Sequence, residues 1–334
     1  MAVSIRDVAE RADVSVGTVS NVLNRPDRVS EAVVARVHDA IRELGYVRND
    51  AARQLRAGRS SSVGLVVLDA RNPFFTDIAR GAEDEAAEHG VAVLLGDSDE
   101  KPEREAAYLD LFEEQRVRGV LVSPLGDIGG RLQRLRALGT PVVLVDRRAE
   151  DDTLSSVSVD DVAGGRTAVA HLLERGRRRV AFVAGPLSLR QVADRLSGAR
   201  EAVAAVDGAR LEVLEGSALS VLEGRRMGEQ LVARPAAQRP DAVFTANDLL
   251  AVGLLQALVM RGEVRVPEDI AIVGFDDIDF AAATVVPLSS IRQPSRLIGQ
   301  TALRILLEEA DDPELAPRQL VFQPELVVRE STAS

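Results

Sequence analysis

Residues 4–24 read Ser4-Ile5-Arg6-Asp7-Val8-Ala9-Glu10-Arg11-Ala12-Asp13-Val14-Ser15-Val16-Gly17-Thr18-Val19-Ser20-Asn21-Val22-Leu23-Asn24. Ser4 can cap a helix from Ile5 to Ala12, with Ile5, Val8 and Ala9 at i, i+3 and i+4 on one face. Ser15 can cap a second, carrying Val19, Val22 and Leu23 on one side, and Asn24-Arg25-Pro26-Asp27 breaks it. Ser30-Glu31 starts a third helix, with Val33, Val37, Ile41 and Leu44 inward and Gly45 at its end. That is enough chain for a three-helix bundle and little more. Two helices joined by a tight turn present the N-terminal face of the second, where Ser15, Thr18 and Ser20 can donate to phosphates. An ordinary helical hairpin has the same periodicity, so periodicity alone leaves both readings open.

Downstream, residues 47–61 are polar and rich in arginine, with one short helical candidate around a lone apolar Leu55, and read as a linker. From Val63 the texture becomes apolar strands alternating with amphipathic helices. Strands are expected at Val63–Leu68, Val91–Leu95, Val117–Val122, Val142–Val145, Val157–Val159, Val180–Ala184, Leu211–Leu214, Ala242–Thr245, Ile270–Val273 and Glu325–Val328. Helices are expected at Ala79–His89, Ala106–Gln115, Val162–Glu174, Leu249–Arg261 and Leu297–Glu309. Apolar strands joined by helices predict parallel sheets covered on both faces, and their number exceeds one doubly wound sheet. The fold class is therefore α/β, with two parallel-sheet subdomains behind a small helical domain.

Composition narrows the chemistry. The 334 residues contain no cysteine, which removes disulfide frameworks and thiolate zinc sites. Three scattered histidines leave little for a metal site or a catalytic triad. No cofactor, metal or catalytic residue is expected, and no apolar run approaches a membrane span. The first residues lack the apolar core of a secretory signal, so a cytoplasmic protein with no membrane partner is the expectation. The net charge of −11 is unevenly placed: residues 1–60 hold ten arginines against eight carboxylates, and the remainder is strongly acidic. An acidic bulk with a locally positive N-terminal segment fits a small binding head on a neutral-to-acidic body. The Arg175–Arg179 run sits at a helix end, where the helix dipole accounts for it. Gly164-Gly165 lacks the spacing of a dinucleotide loop.

The stretch 4–24 resembles the headpiece of the LacI/GalR family of bacterial transcription regulators. It meets every fixed position of the pattern I-x-D-V-A-x-x-A-x-V-S-x-x-T-V-S-x-V-L-N. The resemblance implies that Val16, Gly17 and Asn21 face the bases, with Ser15, Thr18, Ser20 and Asn24 at backbone-contacting or capping positions. Val16 offers only apolar contact to a thymine methyl and Gly17 has no side chain, which leaves Asn21 as the main hydrogen-bonding reader, suited to adenine. The segment Tyr46 to Leu55 is similar to the family's hinge. There the resemblance implies DNA contacts from Tyr46, Asn49 and Arg53 and a minor-groove wedge at Leu55. The Pro common in that hinge is Arg48 here.

Residues 62–330 resemble the family's sugar-binding core, shared with periplasmic sugar-binding proteins. The resemblance implies an effector site at strand ends, formed by Asn72, Phe74, Phe75, Asp146, Arg147, Arg195, Asn247, Asp276 and Gln293. Carboxylates, guanidinium groups and amides suit vicinal hydroxyls, while Phe74 and Phe75 can stack on a sugar face. Strand-end Asp and Asn also cap helices, so any one of these alone carries little. An aromatic often found after Leu211–Leu214 is replaced here by Gly216-Ser217-Ala218-Leu219.

The implied organisation is a headpiece at 1–48, a hinge at 49–61 and a core at 62–334. One subdomain would comprise 62–160 with 291–320, the other 161–290 with 321–330. The implied function is sequence-specific repression, with operator affinity set by a sugar-like effector. Partners are a pseudo-palindromic operator, that effector and a second copy of the chain. Helix Leu249–Arg261, apolar around much of its circumference, is the expected subunit contact, and the final residues carry no heptads for tetramers. A periplasmic binding protein would lack the headpiece, and a Rossmann-type enzyme would need a phosphate loop or catalytic cluster.

Overall fold

The computed structural model describes residues 3–46, 60–126, 128–260, 262 and 264–333. The chain forms two compact units, divided between Arg59 and Ser60. In the first, helices α1 (Ile5–Arg11), α2 (Val16–Asn24) and α3 (Glu31–Leu44) surround a small core of Val8, Ala9, Ala12, Val19, Val22, Val37 and Ala40. Ser4 and Asp7 cap α1 reciprocally, and Ser15 Oγ accepts from the Thr18 amide at 3.0 Å to open α2. Gly45, at φ +62°, ends α3 in the left-handed region that glycine enters without penalty. Ser30 occupies the cap position of α3, but its side chain makes no capping bond.

The second unit holds two six-stranded sheets. The first contains β1 (Ser62–Val67), β2 (Ala92–Asp97), β3 (Val120–Val122), β4 (Val142–Val145), β5 (Ser155–Val159) and β11 (Gln319–Phe322), in the order β11-β5-β4-β3-β1-β2, all parallel. The second contains β6 (Arg179–Ala184), β7 (Arg210–Glu215), β8 (Ala242–Thr245), β9 (Ala271–Asp276), β10 (Ser289–Arg292) and β12 (Glu325–Val327). Its order is β12-β10-β9-β8-β6-β7, parallel except for β12. The chain passes between the sheets after β5, β10 and β11. The boundaries expected at 290/291 and 320/321 therefore fall inside strands and move to follow Arg292 and Phe322.

Strands β10 and β11 are absent from the sequence reading. Ser289 and Ser290 of β10 are completely buried, and distant groups satisfy them. The Ser289 amide donates to Ser331 Oγ at 2.7 Å, Ser289 Oγ pairs with Thr332 Oγ1 at 2.7 Å, and Ser290 Oγ donates to Asp248 Oδ1 at 2.7 Å. Buried hydroxyls are tolerable only when hydrogen-bonded, and these partners lie some forty residues away.

Three helix pairs flank the sheets at backbone contact. Helix α4 (Pro73–Glu88) meets α12 (Ser295–Asp311), α7 (Asp161–Glu174) meets α8 (Arg190–Ala204), and α9 (Val221–Val232) meets α10 (Asp248–Met260). Each contact is glycine against backbone. A Cβ on Gly81 would lie 1.9 Å from the Arg296 carbonyl oxygen, one on Gly198 1.9 Å from that of Val162, and one on Gly253 1.8 Å from that of Val221. Gly165 likewise sits beneath the Arg195 carbonyl, while Gly164 faces the Phe275 and Ile291 side chains of the sheet, so the Gly164-Gly165 pair serves packing. This packing also corrects the subunit-contact argument. Leu250, Leu254 and Leu258 of α10 are completely buried within the subdomain and Gly253 is closed off by α9, so most of the apolar circumference is used internally.

Candidate effector cleft and DNA-reading face

On α2, Val16, Gly17 and Asn21 are exposed along one face, while Val19 and Val22 are buried on the other. The flanking polar residues are engaged locally. Ser15 Oγ lies 2.9 Å from Thr18 Oγ1, and Asn24 Nδ2 donates to the Ser20 carbonyl at 2.8 Å. The Asn21 side chain bonds to nothing among the described residues, which leaves its amide available to a partner. A Cβ on Gly17 would meet only Ser15 Oγ at 3.6 Å, so packing does not demand glycine there. Tyr46 is half-buried against the headpiece core. Asn49, Arg53, Leu55 and Arg48 lie outside the described residues.

In the core, the C-terminal ends of both sheets converge, the usual ligand position in open α/β sheets. Asn72 caps α4, Phe74 and Phe75 lie in its first turn, and Asp146 follows β4. Facing them, Arg195 comes from α8, Asn247 precedes α10, and Asp276 ends β9. These seven expected residues line one cavity of about 30 Å³, room for a water molecule or two. Phe74 and Phe75 stand edge to face, centroids 5.0 Å apart.

The two subdomains bond directly across this cleft. Asn72 Nδ2 donates to Asp276 Oδ2 at 3.2 Å, and its Oδ1 accepts from the Phe74 amide to cap α4. Gln191 Nε2 donates to the Asp146 carbonyl and to Asp146 Oδ2, both at 2.9 Å. Gln293, on the segment leaving β10, does not line the cavity. It stands behind Asp276 and donates to its Oδ1 at 2.8 Å. Asn247 fills a capping role, accepting from the Leu250 amide at 3.0 Å. Arg147 turns away, donating to the Gly126 carbonyl at 2.8 Å and to Glu150 at 3.2 Å.

Arg195 organises the charges. Its Nε donates to Asp161 Oδ1 at 2.7 Å, its Nη1 to the Ala246 carbonyl at 2.7 Å, and Asp276 Oδ1 lies 4.0 Å away. The guanidinium stacks 3.7 Å above the Phe275 ring. Burial works against its charge, but Asp161, Asp276 and Asp146 outweigh that and hold it protonated. Burial pushes Asp161 up to about 6 despite Arg195. It raises Asp146 well above the usual carboxylate range, reinforced by Asp161, and it also raises Asp276. One cation thus faces three buried carboxylates that do not all ionise easily together. Asp146 (φ +60°) and Asp276 (φ +107°) hold left-handed backbones unfavourable to their type, the strain expected where packing fixes a functional side chain.

The sequence reading missed Gln191, Asp161, Leu219, Asp69 and Glu100. Gln191 and Arg195 are one helical turn apart on α8, a spacing that could have flagged the pair. Asp161 becomes visible only once α7 and α8 pack.

Residues 4–49 match the family model for bacterial regulatory proteins of the lacI family, and residues 169–332 that for the periplasmic binding protein-like domain. The ribose operon repressor of Escherichia coli (strain K12) is 33% identical over 338 residues, covering 98% of this chain and 99% of its own. The chain belongs to the lacI family of bacterial regulators. Solved structures agree along the whole length. A transcriptional regulator CelR–cellobiose complex is 34% identical with a TM-score of 0.73, covering 98% of this chain and 99% of its own. The lac repressor dimer bound to operator and the anti-inducer ONPF is 27% identical with a TM-score of 0.83, covering all of both chains. This lacI-family member is a DNA-binding transcriptional regulator with a ligand-binding core. Among the described residues, no helix is long and apolar enough to cross a membrane.

Proposed function

We propose that this regulator is a cytoplasmic homodimeric repressor, without enzymatic activity, whose operator affinity is set by a small uncharged sugar bound in the cleft. One observation carries the reading: the Asp276 carboxylate accepts from Asn72 of the other subdomain and from Gln293 on a crossover, and Arg195 flanks it. Sugar hydroxyls competing for those donors and acceptors bind one arrangement of the subdomains better than the other, and only such a difference shifts a population. The sugar-bound and operator-bound relatives support both halves of the reading. On DNA, Asn21 reads a base, Val16 and Gly17 flank it, and Ser15, Thr18, Ser20, Asn24, Tyr46, Asn49 and Arg53 serve the backbone, with Leu55 as the wedge. In the core, Asn72, Phe74, Phe75, Asp146, Arg195, Asn247, Asp276 and Gln293 serve the effector.

Dimerisation supplies two half-site readers for a two-fold operator. Leu95, Leu222, Met260, Phe280 and Val285 are exposed apolar side chains of the kind a subunit interface covers. Sedimentation at micromolar concentration should give about twice the 35.8 kDa chain mass. The direct test is fluorescence anisotropy of the full chain on DNA upstream of its own gene, with and without each member of a sugar panel. Specific binding altered by one sugar is expected. Equal affinity for random DNA would overturn the reading.

A further inference from the structure

Two carboxylates follow one another where β9 ends, and they serve different partners. Asp276 lines the cleft cavity; Asp277 does not. The pair grips two consecutive residues of the segment that crosses between the sheets after β10. Gln293 Nε2 donates to Asp276 Oδ1 and Arg292 Nε to Asp277 Oδ2, both at 2.8 Å. Arg329, which lies beyond β12 and so past the third crossing, places Nη1 2.7 Å from Asp277 Oδ1. The first crossing is reached through Asp161, held by Arg195, which flanks Asp276. The Asp277 amide donates to Ser290 Oγ at 3.1 Å, and Asp277 continues the left-handed backbone of Asp276 at φ +54°. Two such residues in succession are unfavourable for aspartate and persist only where the surroundings over-determine them.

We propose that Asp277 is a positioning residue of the effector response: it ties the second and third crossings to Asp276 and passes a change at that carboxylate on to them. The proposal rests on the sugar reading above. A ligand that takes over the hydrogen bonds of Asp276 shifts the short backbone it shares with Asp277, and two guanidinium groups oblige Arg292 and Arg329 to follow. The Asp277 side chain is 5% exposed, so salt screens these pairs far less than surface ones. The Glu325 carboxylate, 3.5 Å from Arg292 and well exposed, is the weak member of the group. An ion pair equally good in both arrangements of the subdomains would couple nothing, so one arrangement must satisfy both guanidinium groups better than the other.

The test uses the full chain, with ribose, glucose, galactose and cellobiose as probes. Asp277→Asn keeps size and removes the charge; Arg292→Gln cuts the same tie from a half-exposed side chain that the fold can spare. Calorimetry without DNA should find sugar affinity within about threefold of wild type in both variants. Operator anisotropy should find the sugar-induced change cut from at least about tenfold to about threefold or less. The double variant should lose no more than either single one, since both break one tie. A role in the fold alone would lower stability and leave that change intact. Variants that respond like wild type overturn the proposal and leave the sugar reading standing. So does a loss of sugar affinity that matches the loss of response, which would make Asp277 part of the site. Wild type indifferent to all four sugars overturns the sugar reading, and hydrogen exchange then judges the tie by itself. In Asp277→Asn, exchange over 289–293 and 325–329 should quicken about fivefold or more; unchanged exchange overturns the tie.

Discussion

The reading face of α2 and the core cleft use polar side chains in opposite ways. On α2 the Asn21 side chain is exposed and makes no hydrogen bond among the described residues, so the proposed reading role there asks nothing of it in the fold. In the cleft the central groups are each engaged by at least one bond: Arg195 by Asp161 and Ala246, Asp276 by Asn72 and Gln293, Asp146 by Gln191 through one carboxylate oxygen. Substitution on the helix should therefore separate cleanly into binding effects. In the cleft, recognition and stability share the same atoms.

The sharpest break between the regions should come from Arg195→Ala. The resemblance places Arg195 only in a strand-end effector site, but Arg195 is 4% exposed and neutralises Asp161 and Asp276. Removing one partner of a buried ion pair costs about 3–5 kcal/mol, so urea unfolding should shift strongly. A loss under about 1 kcal/mol would mean the network relaxes and the contrast is wrong.

Acidity tests the same network. Unfolded, Asp161 releases its proton near the ordinary 3.8; folded, it keeps it to about 6. Between these values the folded chain binds more protons, so this contribution is present at low pH, falls as pH rises from about 4 to 6, and is gone above. Urea midpoints for wild type minus Asp161→Asn should show that fall, of order 3 kcal/mol in total. A difference that stays flat from pH 4.5 to 7 would place the titration elsewhere.

On the helix, Asn21→Ala should cost about 1–3 kcal/mol of operator binding and relax one position per half-site, with unfolding unchanged. Equal losses on operator and random DNA would make Asn21 a backbone contact. The smallest effect is Gly17→Ala. With open space around it and an alanine's better helix propensity, the headpiece should gain about 0.5–1 kcal/mol. A loss of stability would show a packing role that the open surroundings of Gly17 do not suggest.

The headpiece was readable because its signals are local: caps at Ser4 and Ser15, the break at Asn24-Arg25-Pro26 and the stop at Gly45 act within a few residues. The apolar strands were readable for the same reason. Strand β10 was not, since nothing nearby announces that Ser331 and Thr332 satisfy its buried serines. In the cleft, strand-end position located Asn72, Asp146 and Asp276, but adjacency misled at Arg147, which follows Asp146 in sequence and turns out of the cleft. Asp161 and Gln191 acquire their roles only when helices and subdomains meet, and the reciprocal glycines that bring α7 and α8 together read in sequence as isolated small residues.

The most direct test is operator anisotropy of wild type and Asp276→Asn, titrated with the sugar that binds wild type. Asparagine keeps the size of Asp276 but turns one acceptor oxygen into a donor, so Asn72 and Gln293 can no longer both donate to it. The account predicts that sugar changes wild-type operator affinity at least tenfold, about 1.4 kcal/mol of coupling. It also predicts that Asp276→Asn binds operator like wild type without sugar and loses most of the response. A variant that still responds fully to sugar would contradict the claim that this carboxylate joins the two subdomains to the effector.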